Sequence, residues 1–212
     1  MIAGKHKGAG MLLYPAQVAE VLAPIAEYPE IQFSLKMRLG WENVSECMVL
    51  VELLNAIRLS RIALHARTGK QQYKGHPDLE AFQGFYELCQ HPLYYNGGIE
   101  SLSDIRQILT RFPLLKGVFI GRGLLSSPLL AKEFKGNETF LPEQRMSIYF
   151  AFHEELFSAY SQVLQGETQL LVKMKTLWEY FLPETDRKLL KRIKKSTRLQ
   201  QYTESVKAIF TS

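Results

Sequence analysis

A chain of 212 residues with 46% apolar and 22% charged side chains holds enough hydrophobic material for one sizeable domain, or for a medium domain plus a small one. No run of about 18 uninterrupted apolar residues occurs, which excludes a membrane-spanning helix, and Met1–Gly8 is basic with no apolar stretch behind it, so no secretion leader is expected. The formal net charge is +5, and the two cysteines, Cys47 and Cys89, stand far apart without a CxxC pair; they read as reduced packing residues of a cytoplasmic protein.

In chain order, a helix is predicted from Pro15 to Glu27. Pro24 should kink it or end its regular part, because an interior proline costs about 3 kcal/mol. Residues 31–37 alternate apolar and polar side chains and predict a strand. A helix over roughly 44–58 follows, then a second strand at Arg61–His65 and a helix over 78–90. The third strand, Pro92–Tyr95, ends at Asn96-Gly97-Gly98. The helix over 101–111 opens on a Ser-x-x-Asp start at Ser101 and Asp104. A fourth strand, Gly117–Ile120, ends at Gly121-Arg122-Gly123. The strand-end residues Lys36, His65, Asn96 and Gly121 lie 25 to 31 residues apart, the length of one strand plus one crossover helix. Such a series predicts a parallel sheet with right-handed crossovers, doubly wound or barrel-like. After about residue 136 strand periodicity stops, and helices are predicted over 143–165, 170–181, 184–195 and 200–210.

In parallel strand–helix folds, functional groups gather at the C-terminal ends of the strands. Period two sets Lys36 on one face with Gln32 and Ser34, and Ile31, Phe33, Leu35 and Met37 on the other. It likewise groups His65 with Ala63 and Arg61. Lys36 and His65 are therefore expected to share a functional face while the apolar faces pack under helices. The Asn96-Gly97-Gly98 and Gly121-Arg122-Gly123 turns let backbone amides approach an anion, with Arg122 as a charged fork. Seven of the twelve residues from 187 to 198 are basic: Arg187, Lys188, Lys191, Arg192, Lys194, Lys195 and Arg198. Such a helix suits a nucleic-acid backbone; a solvated face and an acidic membrane surface fit it as well.

The blocks Ser34-Leu35-Lys36-Met37-Arg38-Leu39-Gly40-Trp41, His65–Gly75, Asn96-Gly97-Gly98-Ile99 and Gly121-Arg122-Gly123 occur in order. They resemble the KMRLGW, HxRTxxQxYxG, NGGI and IGRG blocks of the tRNA-dihydrouridine synthase family, and Gly8–Pro15 is similar to its GAGxLL segment. The resemblance implies an α/β fold: the second half of a TIM-type eight-stranded barrel over residues 1–136, then a small all-α tRNA-binding domain over 137–212. It implies FMN as cofactor, NADPH as reductant, tRNA as partner and reduction of uridine C5=C6 as the reaction. By the same resemblance Lys36 and His65 contact the isoalloxazine ring. Asn96, Gly97, Gly98, Gly121 and Arg122 hold the ribityl phosphate, and Arg38 and Arg67 orient flavin or uracil. The family's catalytic cysteine, in an NxGCP motif ahead of GAGxLL, falls upstream of Met1, as do the early strands; neither Cys47 nor Cys89 matches it. The chain alone is accordingly expected to be inactive. Two other functions fit the same residues: a different FMN- or phosphate-binding barrel oxidoreductase acting on a small molecule, and a non-catalytic RNA-binding remnant.

Overall fold

The computed structural model describes residues 6–211; residues 1–5, which begin the basic N-terminal segment read as no secretion leader, and residue 212 lie outside them. The chain divides into two compact units, Met1–Gly121 and Arg122–Ser212.

In the first unit a 3₁₀ segment, Gly8–Leu13, leads into α1 (Pro15–Leu22), and α1 gives way to a second 3₁₀ segment at Ala23–Glu27. Pro24 stands at that change, where its ring ends regular α geometry as expected. Then follow β1 (Ser34–Gly40), α2 (Glu46–Val49), α3 (Val51–Asn55), β2 (Arg61–Thr68), α4 (Leu79–Leu88), β3 (Leu93–Asn96), α5 (Leu102–Arg111) and β4 (Gly117–Phe119). The strands form one sheet in the order β1-β2-β3-β4, every pair parallel. This is the α/β arrangement of a partial TIM-type barrel.

Two elements depart from the sequence pattern. β1 starts later than residue 31 and runs on to Gly40, where the Glu46 carboxylate accepts from the amides of Trp41, Glu42 and Asn43 at 2.6, 3.1 and 2.7 Å and fixes the following turn. The helix read over 44–58 breaks at Leu50 into α2 and α3, because Leu50 N–H reaches Cys47 O in a short turn. Elsewhere local signals suffice. Ser101 caps α5 by a reciprocal capping box with Asp104, and Asp78 caps α4 by accepting from Ala81 N at 2.9 Å. The helix-facing core contains Ile62, Leu64, Tyr95, Phe82 and Phe112, all essentially fully buried, with Phe82 edge-on to both Tyr95 and Phe112.

The second unit holds α6 (Arg122–Ser126), α7 (Leu130–Gly136), α8 (Pro142–Val163), α9 (Glu167–Leu177), α10 (Arg187–Lys195) and α11 (Leu199–Phe210), and no strand among its described residues. The sequence places the division after residue 136; the contacts place it after Gly121, so α6 and α7 join the helices. The physical reason is packing. Leu129 belongs to the apolar cluster of Tyr149, Met174 and Trp178, Ser127 Oγ meets Tyr149 OH at 2.7 Å, and buried Glu133 pairs with Arg145. The composition change near residue 136 marks a turn inside this unit.

A buried polar chain links α8, the end of α9 and α11. Trp178 Nε1, which can only donate, reaches Tyr202 OH at 3.0 Å, and Tyr202 OH lies 2.7 Å from His153 Nε2. His153 Nδ1 lies 3.1 Å from the Glu154 carboxylate. A bare Nδ1 lone pair against a carboxylate would be repulsive, so the ring proton sits on Nδ1 and Nε2 accepts from Tyr202. Burial lowers the His153 pKa, partly countered by Glu154, and burial raises that of Tyr202.

Candidate functional site

The strand register decides which side chains meet. Ser34, Lys36 and Arg38 stand beside Arg61, Ala63 and His65; Ala63 and His65 stand beside Tyr94 and Asn96, which stand beside Gly117 and Phe119. Register partners in a parallel pair share a face, and successive residues alternate. One face therefore gathers Lys36, Arg38, His65, Arg67 and Asn96, while Leu35, Met37, Ile62, Leu64 and Tyr95 take the opposite, helix-covered side. Arg38, His65, Asn96 and Phe119 form one row across all four strands, and Lys36 lies two residues deeper.

Lys36 is exposed on this face, yet partial desolvation and the nearby Arg38 guanidinium lower its pKa. A cation penalised in this way gains from any anion placed against it. His65 is only 6% exposed and Arg67 only 4%, so neither projects freely from the sheet. Arg67 Nη1 lies 3.3 Å from His65 Nε2 and Arg67 Nη2 donates to Gly75 O at 3.0 Å. An arginine only donates, so Nε2 accepts and a neutral His65 carries its proton on Nδ1. Arg38 Nη1 donates to Thr68 O at 2.6 Å and to Gln72 O at 3.1 Å. Both arginines thus spend donors tethering the loop after β2. Gln71 braces the same loop through Lys74 O and His76 O, at 2.8 and 2.9 Å.

The tethered loop holds up a residue not singled out from the sequence. Tyr73 is 60% exposed, with its ring 5.8 Å from the Arg38 guanidinium carbon and 6.4 Å from the His65 ring. An exposed aromatic held between a cation and an imidazole offers a stacking surface. Its place in the His65–Gly75 block is visible in sequence; its position depends on Gln72 adopting φ +54°, which no periodicity announces.

At the end of β3, Asn96 Nδ2 donates to Phe119 O at 2.8 Å, tying the two strand ends together. Gly98 sits at φ +59°, and a Cβ there would come within 2.9 Å of the Pro77 ring, so the turn requires glycine on both counts. Gly121, after β4, has no heavy atom within 4 Å of the place a Cβ would occupy. Its backbone is open to close approach. Arg122 opens α6 and so belongs to the second unit, as does the basic helix. The cysteines stay off the polar face. Cys47 is fully buried, with Sγ on Val44 O and its thiol pushed up to about 12 by burial; Cys89 is half-buried and also raised.

In the second unit all seven basic residues of the run (Arg187, Lys188, Lys191, Arg192, Lys194, Lys195 and Arg198) are exposed. Asp186 caps α10 by accepting from Lys188 N and Leu189 N at 2.8 and 3.2 Å, and Ile193 anchors the helix in the core. Lys188, Lys191, Arg192 and Lys195, at i, i+3, i+4 and i+7, flank a groove of about 440 Å³ whose other side includes Gln201 and Glu204 of α11. Arg192, Lys194 and Lys195 also occupy the last turn, where the helix dipole favours cations.

Comparison with known proteins matches residues 1–211 to the family model described as dihydrouridine synthase. A protein of Aquifex aeolicus named probable tRNA-dihydrouridine synthase is 34% identical over 135 residues, 62% of this chain and 42% of its own. One of the same name from Rhizobium leguminosarum is 30% identical over 60% of this chain and 40% of its own. The tRNA-dihydrouridine(16) synthase of Haemophilus ducreyi is 29% identical over 63% of this chain and 42% of its own. The chain thus spans about two-fifths of the length of these relatives.

Proposed function

Because the chain belongs to the dihydrouridine synthase family, we propose that its first unit contributes part of a flavin site, and its second a tRNA-backbone contact, to the reduction of uridine C5=C6 in a cytoplasmic setting. The observation that carries this reading is the single row Arg38–His65–Asn96–Phe119 with Lys36 beneath it, on the face opposite the helices. Bound FMN, reduced by NADPH, would supply the hydride to the uracil ring. The residues fit that group: a lowered-pKa lysine suits the electron-rich side of a reduced flavin, and the open Gly121 backbone suits a phosphate.

Each side chain then has a task of its own. Lys36 holds negative charge at the ring. Asn96, Gly97, Gly98 and Gly121 bind the ribityl phosphate. His65, locked by Arg67, shapes the ring's edge more than it donates to it, and Arg38 and Arg67 hold Tyr73 in place to stack against an unstacked base. Arg187, Lys188, Lys191, Arg192, Lys194, Lys195 and Arg198 neutralise tRNA phosphates. Neither Cys47 nor Cys89 serves as proton donor, since Cys47 lies fully buried in α2 and Cys89 follows α4, both off the polar face. The chain by itself is accordingly predicted to bind without turning over.

The test is a pair of titrations on the purified chain. FMN fluorescence should be quenched, and a tRNA shift should weaken steeply with salt. tRNA binding with no flavin binding would favour the RNA-binding remnant, flavin without tRNA a small-molecule oxidoreductase, and uridine turnover would overturn the assignment of the cysteines.

A further inference from the structure

The groove between α10 and α11 is cationic on one side only. Lys188, Lys191, Arg192 and Lys195 stand on α10, while Gln201 and Glu204 face the same volume of about 440 Å³ from α11. A surface built only to grip phosphates gains nothing from a carboxylate, which repels them. Nor does Glu204 serve to neutralise α10, since among the described residues no ion pair joins it to the four cations. Instead Gln200 Nε2 donates to Glu204 Oε1 at 3.0 Å, which steadies the carboxylate and leaves Oε2 to accept from a ligand. Gln201 Oε1 accepts from Thr197 N and Oγ1 at 3.1 and 3.3 Å, so its NH2 is the end with hydrogen bonds to give. The two serines of the groove, Ser196 and Ser205, spend their hydroxyl protons on Ile193 O and Gln201 O at 2.7 Å each.

We propose that Glu204 reads the 2′-hydroxyl of a ribose whose phosphates lie against α10, with Gln201 donating to the same strand; this rests on the tRNA-backbone contact proposed for the basic helix. The occupant must offer anions to one wall and a hydrogen-bond donor to the other. A ribonucleotide backbone does both at every residue, because its 2′-hydroxyl stands between successive phosphates and can donate. A deoxyribose backbone has no donor at all. The four cations run over about 10 Å of helix, which gives room for the phosphates on either side of one sugar. The carboxylate thus turns a cost into selectivity: a backbone without the donor leaves Glu204 facing phosphates with nothing in return.

The test is filter binding of the whole chain to an RNA hairpin and to the same hairpin carrying 2′-fluoro sugars, which keep the A-form and lose the donor. The wild type should prefer the hydroxyl hairpin at least about fivefold. Glu204 is exposed on α11, at a helical position that alanine suits, so Glu204→Ala should leave the fold intact. It should tighten the fluoro hairpin and bring the ratio of affinities to about one. Glu155→Ala, exposed on α8 and outside the groove, should keep the wild-type ratio. Equal wild-type affinities, or a Glu204→Ala that tightens both hairpins alike, would overturn the proposal and leave the backbone contact standing. Absence of salt-dependent binding to either hairpin would instead overturn the contact itself, and this proposal with it.

Discussion

Gly121→Ala separates the proposed phosphate site from the fold. In the native chain nothing lies within 4 Å of the added methyl, and Gly121 is not in the left-handed region. An alanine should therefore fit without strain, and by restricting the unfolded chain it should even stabilise by about 0.4–1 kcal/mol. In the complex the same methyl would stand where a phosphate oxygen must approach the backbone. Losing one charge-assisted hydrogen bond costs roughly 1.5–3 kcal/mol, about a ten- to hundredfold loss of affinity. The assay is fluorescence titration with FMN and with riboflavin, which shares the ring and lacks the phosphate, alongside thermal unfolding. FMN should weaken at least about tenfold and riboflavin less than about twofold, with Tm unchanged or higher. Equal losses for both ligands, or no loss for FMN, would refute a phosphate at Gly121.

Lys36→Met should weaken FMN and riboflavin alike, because the charge lies at the ring. In the wild type, affinity for reduced flavin should fall as pH rises toward the lowered Lys36 pKa, and titration across alkaline pH checks it. Changing Lys188, Lys191, Arg192 or Lys195 singly to Ala should each reduce the log–log salt slope of tRNA binding by about one unit, measured by filter binding. His153 has a folded pKa below its ordinary 6.5, so the unfolded chain takes up the proton first; stability present above pH 6.5 should be lost as pH falls through the acid range. His153→Leu should remove that acid-side slope while leaving the Tyr202 proton without its acceptor, at a cost of about 1–3 kcal/mol in urea unfolding at pH 7. Arg67→Leu should release Gly75, raising hydrogen exchange across residues 69–76 without unfolding the sheet.

The parts of this molecule legible in its sequence are those set by local signals. Strand alternation over residues 31–37 and Arg61–His65, the Ser101–Asp104 box and the proline at residue 24 each act within a few residues. Each appears in the structure near its expected place. The common face of Lys36 and His65 follows from period two once the strands pair in parallel register. What could not be read depends on contacts between distant residues. The partner of His65 comes from Arg67, itself held by Gly75, and Tyr73 acquires its position only from Arg38 reaching across to Thr68 and Gln72. Likewise, the place of α6 and α7 is set by Leu129, Ser127 and Glu133 packing against α8 and its neighbours, whereas the composition change lies further along the chain.

The shared flavin is tested most directly by solving crystals of the chain grown with FMN. The ring should lie against Lys36 beside Tyr73, with the phosphate within hydrogen-bond reach of the Gly98 and Gly121 amides. A flavin bound on the helix-covered side, or a phosphate away from both glycine turns, would contradict the convergence of these groups on one cofactor.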